Sequence, residues 1–476
     1  MMKLPEISVI PGSLDRFVTM LGRRAVEEVR ARAERVRRRL RGHTVWTINS
    51  TAAGGGVAEM LRFLVSYARD LEIDIHWLVV PGTPEFFRVT KRLHNALHGW
   101  QGDDSPLGQP ERAIYESVTD ANARALRPGV RPGDVAILHD PQTAGLIPSL
   151  AQAGVHVIWR CHVGGDPARA EARKGWNFLS PYLSAARIFV FSSETYRPEE
   201  CRPEQSRVVH PCIDPFSAKN QNLEEEAVRA ILVRAGLVQG SNGQNAATFL
   251  RQDDSKGTVR RRARMVEMDG PPAWDAPLVV QVSRWDHLKD PIGVLRGFTR
   301  TLESSRCGGA ELILAGPEVT GVVDDPEGAQ VLRETEQAWR DLPAAHRRRT
   351  HLACLPMADL EENAAIVNAL QRHATVVVQK SLQEGFGLTV TEAMWKMRPV
   401  LASAVGGIPS QIQDGVHGLL IDHPEDLSTF SSVLGHLLAD VDLGARLARR
   451  ARERVVQEFL GPRSLAQYAD IIDSLL

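Results

Sequence analysis

One grammar occurs twice in this chain, and it restricts the possible folds more than any other feature. Short apolar, β-branched runs lie at 45–48 (VWTI), 75–80 (IHWLVV), 135–138 (VAIL), 156–159 (HVIW) and 187–191 (RIFVF). Helix-like stretches separate most of them, such as VAEMLRFLVSYARDL at 57–71. A strand that is apolar on both faces stays dry only inside a parallel sheet covered by helices on both sides. The same alternation restarts with PLVVQV (277–282), ELILAG (311–316), ATVVVQ (374–379) and PVLASA (399–404). Between the two arrays, residues 238–275 are polar, Gly-containing and charged, which predicts an exposed insertion or hairpin beside an interdomain linker. Its Arg260-Arg261-Arg262 run offers a partner contact, with a solvated loop as the plainer reading.

The expected fold is therefore α/β, with two Rossmann-like doubly wound domains facing across a cleft. The boundaries read as an N-terminal domain over 1–212, a linker with a polar, Arg-rich insertion over 213–275, and a second domain over 276–455. A terminal helix over 456–476 returns to the first domain. A chain of 476 residues has room for two to three domains. Ligands of such sheets bind where loops converge at the carboxyl ends of the strands.

Charge and cysteine usage exclude several classes. Lys+Arg number 57 against 58 Asp+Glu, a balance that argues against wholesale nucleic-acid or membrane-surface binding. No run of eighteen apolar residues exists to span a bilayer, and the N-terminus shows no secretory signal. Five cysteines (161, 201, 212, 307, 354) form no C-x-x-C pair, so disulfide scaffolds and zinc knuckles are disfavoured and a reducing, cytoplasmic setting fits. Nine arginines fall between Arg23 and Arg41. Val26, Val29, Ala33, Val36 and Leu40 recur among them at helical spacing, so the arginines read as the wet face of a helix.

The motif search begins with absences. There is no G-x-G-x-x-G, no P-loop, no G-x-S-x-G elbow and no H-E-x-x-H. Asp440-Val441-Asp442 reads as a surface turn rather than a metal site. Three features remain. The run VWTINST (45–51) enters Ala52-Ala53-Gly54-Gly55-Gly56, where glycines let backbone approach a ligand and helix amides face an anion, although a flexible turn would look the same. The run LVVQVSR ends in Arg284, with Lys289 five residues on, two cations able to clamp a diphosphate or simply to be solvated. The run ATVVVQK leads to Glu384, the tight turn Gly385-Phe386-Gly387, and a helix from Leu388 to Met397. Amides near Leu388 and Thr389 would meet phosphate or sugar oxygens, and Glu392, after seven intervening residues, would reach a ribose diol.

At these residues the chain resembles the retaining GT-B glycosyltransferases of family four, whose hallmark is E-x(7)-E in an E-G-F-G-L-x-x-x-E context. A narrower likeness lies in INSTAAGGGVAEML (48–61), EFFRVTKRLHNALHG (85–99), WRCH (159–162), IDPFSAKN (213–220) and GFGLTVTEAMWK (385–396). These strings look like the trehalose glycosyltransferring synthases, and the related trehalose phosphorylases share several. The resemblance implies transfer of glucose from an NDP-glucose donor (UDP, ADP or GDP) to glucose, giving α,α-trehalose with retention, no cofactor and no metal. It gives Arg284 and Lys289 the donor phosphates, Glu384 the donor-sugar hydroxyls, and Glu392 the ribose. His162 would lie beside the donor sugar, against the alternative of a core histidine satisfied by backbone. Gly55 and Gly56 would line the phosphate-facing loop with Asn49 on the acceptor side. Lys91, His94 and Asn95 become acceptor contacts, or part of a solvated helix face. The implied catalytic set is Arg284, Lys289, Glu384 and His162, and the implied partners are a nucleotide sugar and a small sugar acceptor. A homodimer stays open. Rival readings are trehalose phosphorolysis, transfer to another sugar or cyclitol, and a catalytically silent nucleotide-sugar-binding scaffold.

Overall fold

The computed structural model describes residues 4–52, 55–102, 105–241, 246–303, 308–319 and 327–476. Two compact units emerge: unit 1 is Met1–Cys212 with Glu458–Leu476, and unit 2 is Ile213–Gln457.

Unit 1 contains β1 (Glu6–Ile7), β2 (Val45–Asn49), β3 (Ile75–Val79), β4 (Val135–His139), β5 (His156–Cys161), β6 (Ile188–Phe191) and β7 (Ser206–Val208). They form one sheet in the order β1-β3-β2-β4-β5-β6-β7, parallel except for β1 on β3. The chain winds from β2 out to β3, then crosses back to β4 on the other side of β2. That reversal makes the carboxyl ends of β2 and β4 a topological switch point. Alternation along β5 shows why the strands are apolar throughout: Val157 and Trp159 enter one core and Ile158 the other, all without exposure. Each such burial contributes about 1.5–3 kcal/mol.

The arginine-rich stretch is the helix Arg23–Arg39, with Val26, Val29, Ala33 and Val36 buried as their spacing requires. Its cations are met by acids on the terminal helix Gly461–Leu475: Arg32 and Arg35 lie 3.3 and 3.6 Å from Asp470, and Arg39 lies 2.9 Å from Asp473. The basic face is thus neutralised within unit 1.

Unit 2 contains β8 (Thr248–Leu250), β9 (Lys256–Thr258), β10 (Arg264–Val266), β11 (Leu278–Val282), β12 (Glu311–Pro317), β13 (Thr350–Leu355), β14 (Val376–Gln379), β15 (Val400–Ser403) and β16 (Leu419–Ile421). β8 and β9 make a hairpin. The main sheet runs β10-β13-β12-β11-β14-β15-β16, parallel except for β10 on β13. Its switch point lies between β11 and β14.

The linker expected over 213–275 is a correction: this stretch belongs to unit 2. Ala247, Phe249 and Val259 are buried within its polar surroundings, and its charges bond to the helix Leu360–His373 and its cap. Arg251 meets Asp359 at 2.6 Å and Glu361 at 3.0 Å. The amides of Arg260 and Arg261 both donate to Glu362 at 2.6 Å, and the Arg261 guanidinium pairs with the same carboxylate. The backbone of the arginine run is therefore tied to the fold, while its three side chains stay exposed. β13 went unseen in the sequence because it opens on Thr350 and His351; both are buried, and His351 Nε2 lies 2.7 Å from Glu311. Among the described residues no helix is long and apolar enough to cross a membrane.

Candidate active site

The switch point of unit 2 gathers the charged motif residues. After β11 the chain passes half-buried Arg284 and enters a turn that Asp286 caps by accepting from the Leu288 amide at 2.8 Å. Gln281 Nε2 donates to the Lys289 carbonyl at 3.0 Å, and the Leu382 amide donates to the Leu288 carbonyl at 2.8 Å, so the loops after β11 and β14 are stitched together. Lys289 Nζ then donates to Glu384 Oε1 at 2.7 Å. The other oxygen of Glu384 accepts from Ser381 Oγ at 3.2 Å and from Gln379 Nε2 at 3.4 Å. Deeper in, fully buried Lys380 pairs with Asp290. Asp290 holds left-handed backbone (φ 47°) and caps the helix Pro291–Leu302 through the Gly293 amide at 2.9 Å. Burial raises its carboxyl above the ordinary range, against the pull of Lys380.

Gly387, at φ 86°, turns the chain into the helix Leu388–Trp395, a conformation that suits a residue without Cβ. Gln411 Nε2 donates to the Phe386 carbonyl and fixes the Gly385-Phe386-Gly387 turn, and Thr389 Oγ1 donates to Gln379 Oε1 at 3.1 Å. Glu392 is 1% exposed and lies 3.1 Å from Lys219 Nζ.

In unit 1, polar side chains cross the carboxyl ends of the strands. Arg160, with no exposure, donates from Nε to His162 Nδ1 at 3.4 Å, from Nη1 to the Phe191 carbonyl at 3.2 Å, and from Nη2 to Ser192 Oγ at 3.4 Å. His162 Nε2 lies 2.9 Å from His139 Nδ1, and His139 Nε2 lies 2.9 Å from Thr47 Oγ1. Burial, reinforced by Arg160, pushes His139 down to about 3 and His162 well below the usual imidazole range. Asp140, at the turn after β4, accepts from the His162 amide at 2.7 Å, and burial lifts it to about 6.

Most motif residues therefore sit at strand ends, though not always in the expected role. Lys289 and Glu384 are in contact, and Arg284 shares the loop of Lys289. Glu392 faces Lys219, which lies in a quoted string but was given no role. Asn49 is buried at the end of β2: Trp77 Nε1 donates to its Oδ1 at 2.8 Å and its Nδ2 donates to the Thr51 carbonyl at 2.6 Å, so its amide shapes the loop after β2. Gly55 has φ 101° and Gly56 opens the helix Gly56–Asp70, while Gly54 lies outside the described residues. Lys91, His94 and Asn95 occupy successive turns of the helix Pro84–Leu97. Asn95 is buried, and His94 meets His98 edge-on at 4.6 Å. His98 Nδ1 reaches the Gly164 carbonyl at 3.0 Å, anchoring this helix to the loop after β5. His139 and Asp140 were missed, although polar residues ending the apolar run VAIL were their signal. Lys380 carried no such signal, because its partner Asp290 lies ninety residues earlier.

Comparison with known proteins gives a consistent picture. Residues 47–198 match the family model for the trehalose synthase N-terminal domain, and residues 273–454 match glycosyl transferases group 1. The trehalose synthase of Rubrobacter xylanophilus is 35% identical over 442 residues, covering 92% of this chain and 92% of that protein. A trehalose phosphorylase from Pleurotus pulmonarius is 26% identical, covering 86% of this chain and 54% of that protein. The crystal structure of a UDP-forming α,α-trehalose-phosphate synthase from Burkholderia vietnamiensis superposes with a TM-score of 0.67 at 14% identity, over 91% of this chain and 99% of that one. That likeness identifies the fold as GT-B.

Proposed function

We propose, for a chain that belongs to the trehalose synthase family of group 1 glycosyltransferases, that it moves glucose from an NDP-glucose to glucose, giving α,α-trehalose with retention of anomeric configuration. What supports this reading is the placement of the Arg284–Lys289 loop and the Glu384 turn on β11 and β14, adjacent strands at a switch point, with Lys289 and Glu384 2.7 Å apart.

The chemistry follows from where charge develops. Breaking the bond from the anomeric carbon to phosphate oxygen builds oxocarbenium character on the sugar and negative charge on the diphosphate. Arg284 and Lys289 stabilise that negative charge, and cations already fixed in place cost no reorganisation at the moment of reaction. Lys289 exchanges Glu384 for phosphate, which leaves the Glu384 carboxylate to accept from donor-sugar hydroxyls. Glu392 takes the ribose hydroxyls in exchange for Lys219. Lys91, His94 and Asn95 are assigned to the acceptor. The acceptor hydroxyl attacks on the face that the diphosphate leaves, and its proton passes to the departing phosphate oxygen. The two cations supply the charge that a divalent metal would otherwise bring.

The deciding experiment incubates the protein with UDP-, ADP- or GDP-glucose plus a panel of sugar acceptors, with EDTA in parallel, and determines product linkage by NMR. Trehalose from glucose, undiminished by EDTA, is the expected result. The phosphorylase relative makes phosphorolysis the second reading, with Arg284 and Lys289 holding inorganic phosphate. Loss of trehalose only when phosphate is added, with no synthesis from any nucleotide sugar, would decide for it.

A further inference from the structure

Around the charged motif of unit 2 the bonds close a ring. Lys289 Nζ meets Glu384 on one side. On the other, Asp290, the next residue along, pairs with Lys380, and Lys380 is followed by Ser381, whose hydroxyl donates to Glu384 at 3.2 Å. Gln281 of β11 joins both arms: its Nε2 donates to the Lys289 carbonyl at 3.0 Å, and its Oε1 accepts from the Lys380 amide at 3.4 Å. The Lys380 side chain is fully buried, whereas that of Lys289 is 20% exposed. Charge is a costly way to join two loops in such a place. Replacing a buried ion pair by apolar groups of similar volume is often neutral or stabilising, whereas removing one partner is strongly destabilising. Stability alone therefore does not account for an ammonium at Lys380. What the pair has, and an apolar contact lacks, is direction. Asp290 holds left-handed backbone and commits Oδ1 to the Gly293 amide at 2.9 Å, which fixes where Oδ2 lies, and Lys380 Nζ meets it there.

We propose that Lys380 and Asp290 are positioning residues: they keep the loops after β11 and β14 in register when Lys289 leaves Glu384 for the donor phosphate. The consequence for kinetics rests on the transfer reading above. Once an incoming anion takes Lys289, the ring is open at that link. The loops stay joined by the Leu382 amide on the Leu288 carbonyl, by Gln281, and by this pair. The pair is the side-chain contact that adjoins Lys289 in sequence on one arm and Ser381 on the other. A slip of about 1 Å between the arms would move Lys289 against Glu384, and misplacement of that size can cost about a hundredfold in rate.

The test removes both charges at once. In Lys380→Met/Asp290→Asn the asparagine keeps the left-handed turn and the helix cap, and no charge is left buried alone. Stability in urea stays near that of the wild type, while kcat for NDP-glucose transfer falls about ten- to hundred-fold with the acceptor KM nearly unchanged. A merely structural pair behaves otherwise, because rate would then return with stability. A stable double variant with wild-type kcat overturns the proposal, and so does a loss confined to the acceptor KM. The second measurement is hydrogen exchange at the Leu382 amide of the full chain, with UDP or inorganic phosphate present. That amide exchanges faster in the double variant than in the wild type, and equal rates count against a register role. Should the double variant not fold, Asp290→Asn alone, which retains the cap, carries both measurements with the same outcomes. Absence of transfer by the wild type from every donor would sink the functional reading, and faster Leu382 exchange in the variant would leave the register role standing.

Discussion

At the end of β5 in unit 1, a buried cation is met by a ring nitrogen, a carbonyl and a hydroxyl, all neutral. At the end of β14 in unit 2, Lys289 and Lys380 are each met by a carboxylate. Both units build a doubly wound parallel sheet, so topology does not explain the contrast. Neutral hydrogen bonds in a dry site tolerate salt and define one arrangement, because each proton has a single place to go. Ion pairs near a surface can exchange partners, since an incoming anion replaces one carboxylate with another negative charge. Unit 1 is thus built to hold a shape; in unit 2 fully buried Lys380 is held as firmly, and partly exposed Lys289 is a cation placed to trade contacts.

Four substitutions would break or sharpen this contrast. Lys380→Met leaves half-buried Asp290 without its cation and should cost about 3 kcal/mol in urea unfolding; a cost near zero would mean this pair is as exchangeable as a surface one. Arg284→Ala should lower kcat/KM about 10²- to 10³-fold, roughly 2.7–4 kcal/mol, with the melting temperature nearly unchanged. Retained transfer in that variant would remove Arg284 from the chemistry.

The third concerns pH. His139 titrates at about 3 in the folded chain, below the ordinary 6.5. The unfolded chain therefore binds the extra proton between those values, and stability falls as pH drops through that window. His139 should cost ~2 kcal/mol between pH 6.5 and pH 5. Asp140, raised to about 6, acts in the opposite sense: its folded form takes up the proton first, so acidification from pH 6 toward 4 favours folding and offsets part of the loss. His139→Asn should flatten the acid slope, as measured by urea unfolding at pH 5 and pH 7; an unchanged slope would contradict the dry, neutral character of unit 1. The smallest effect belongs to Arg39→Ala, which removes an exposed pair with Asp473 and should change stability by about 0.2–1 kcal/mol, less at high salt.

The two sheets were legible because parallel strands buried on both faces must be continuously apolar, and the runs from VWTI to PVLASA say so without reference to anything distant. The arginine helix was legible for the same local reason, since a stripe at helical spacing needs only its own neighbours. The Glu384 turn could be found because its glycines, helix start and second glutamate are contiguous in the chain. The edge strand β10 and the role of residues 213–275 were hidden: β10 pairs with β13, and Arg251 and Arg260 bond to Glu361 and Glu362, all about a hundred residues later, and polar composition alone looks like solvent exposure.

Local sequence thus determined the alternation of strand and helix, the switch-point loops and the identity of the charged motif. Only the tertiary structure decided which partner each charge takes and which side chains meet the buried imidazoles. Pairing such as Lys380 with Asp290, or Arg160 through His162 and His139 to Thr47, depends on strands brought side by side from distant parts of the chain. Burial then multiplies the energetic difference between a matched group and an orphaned one.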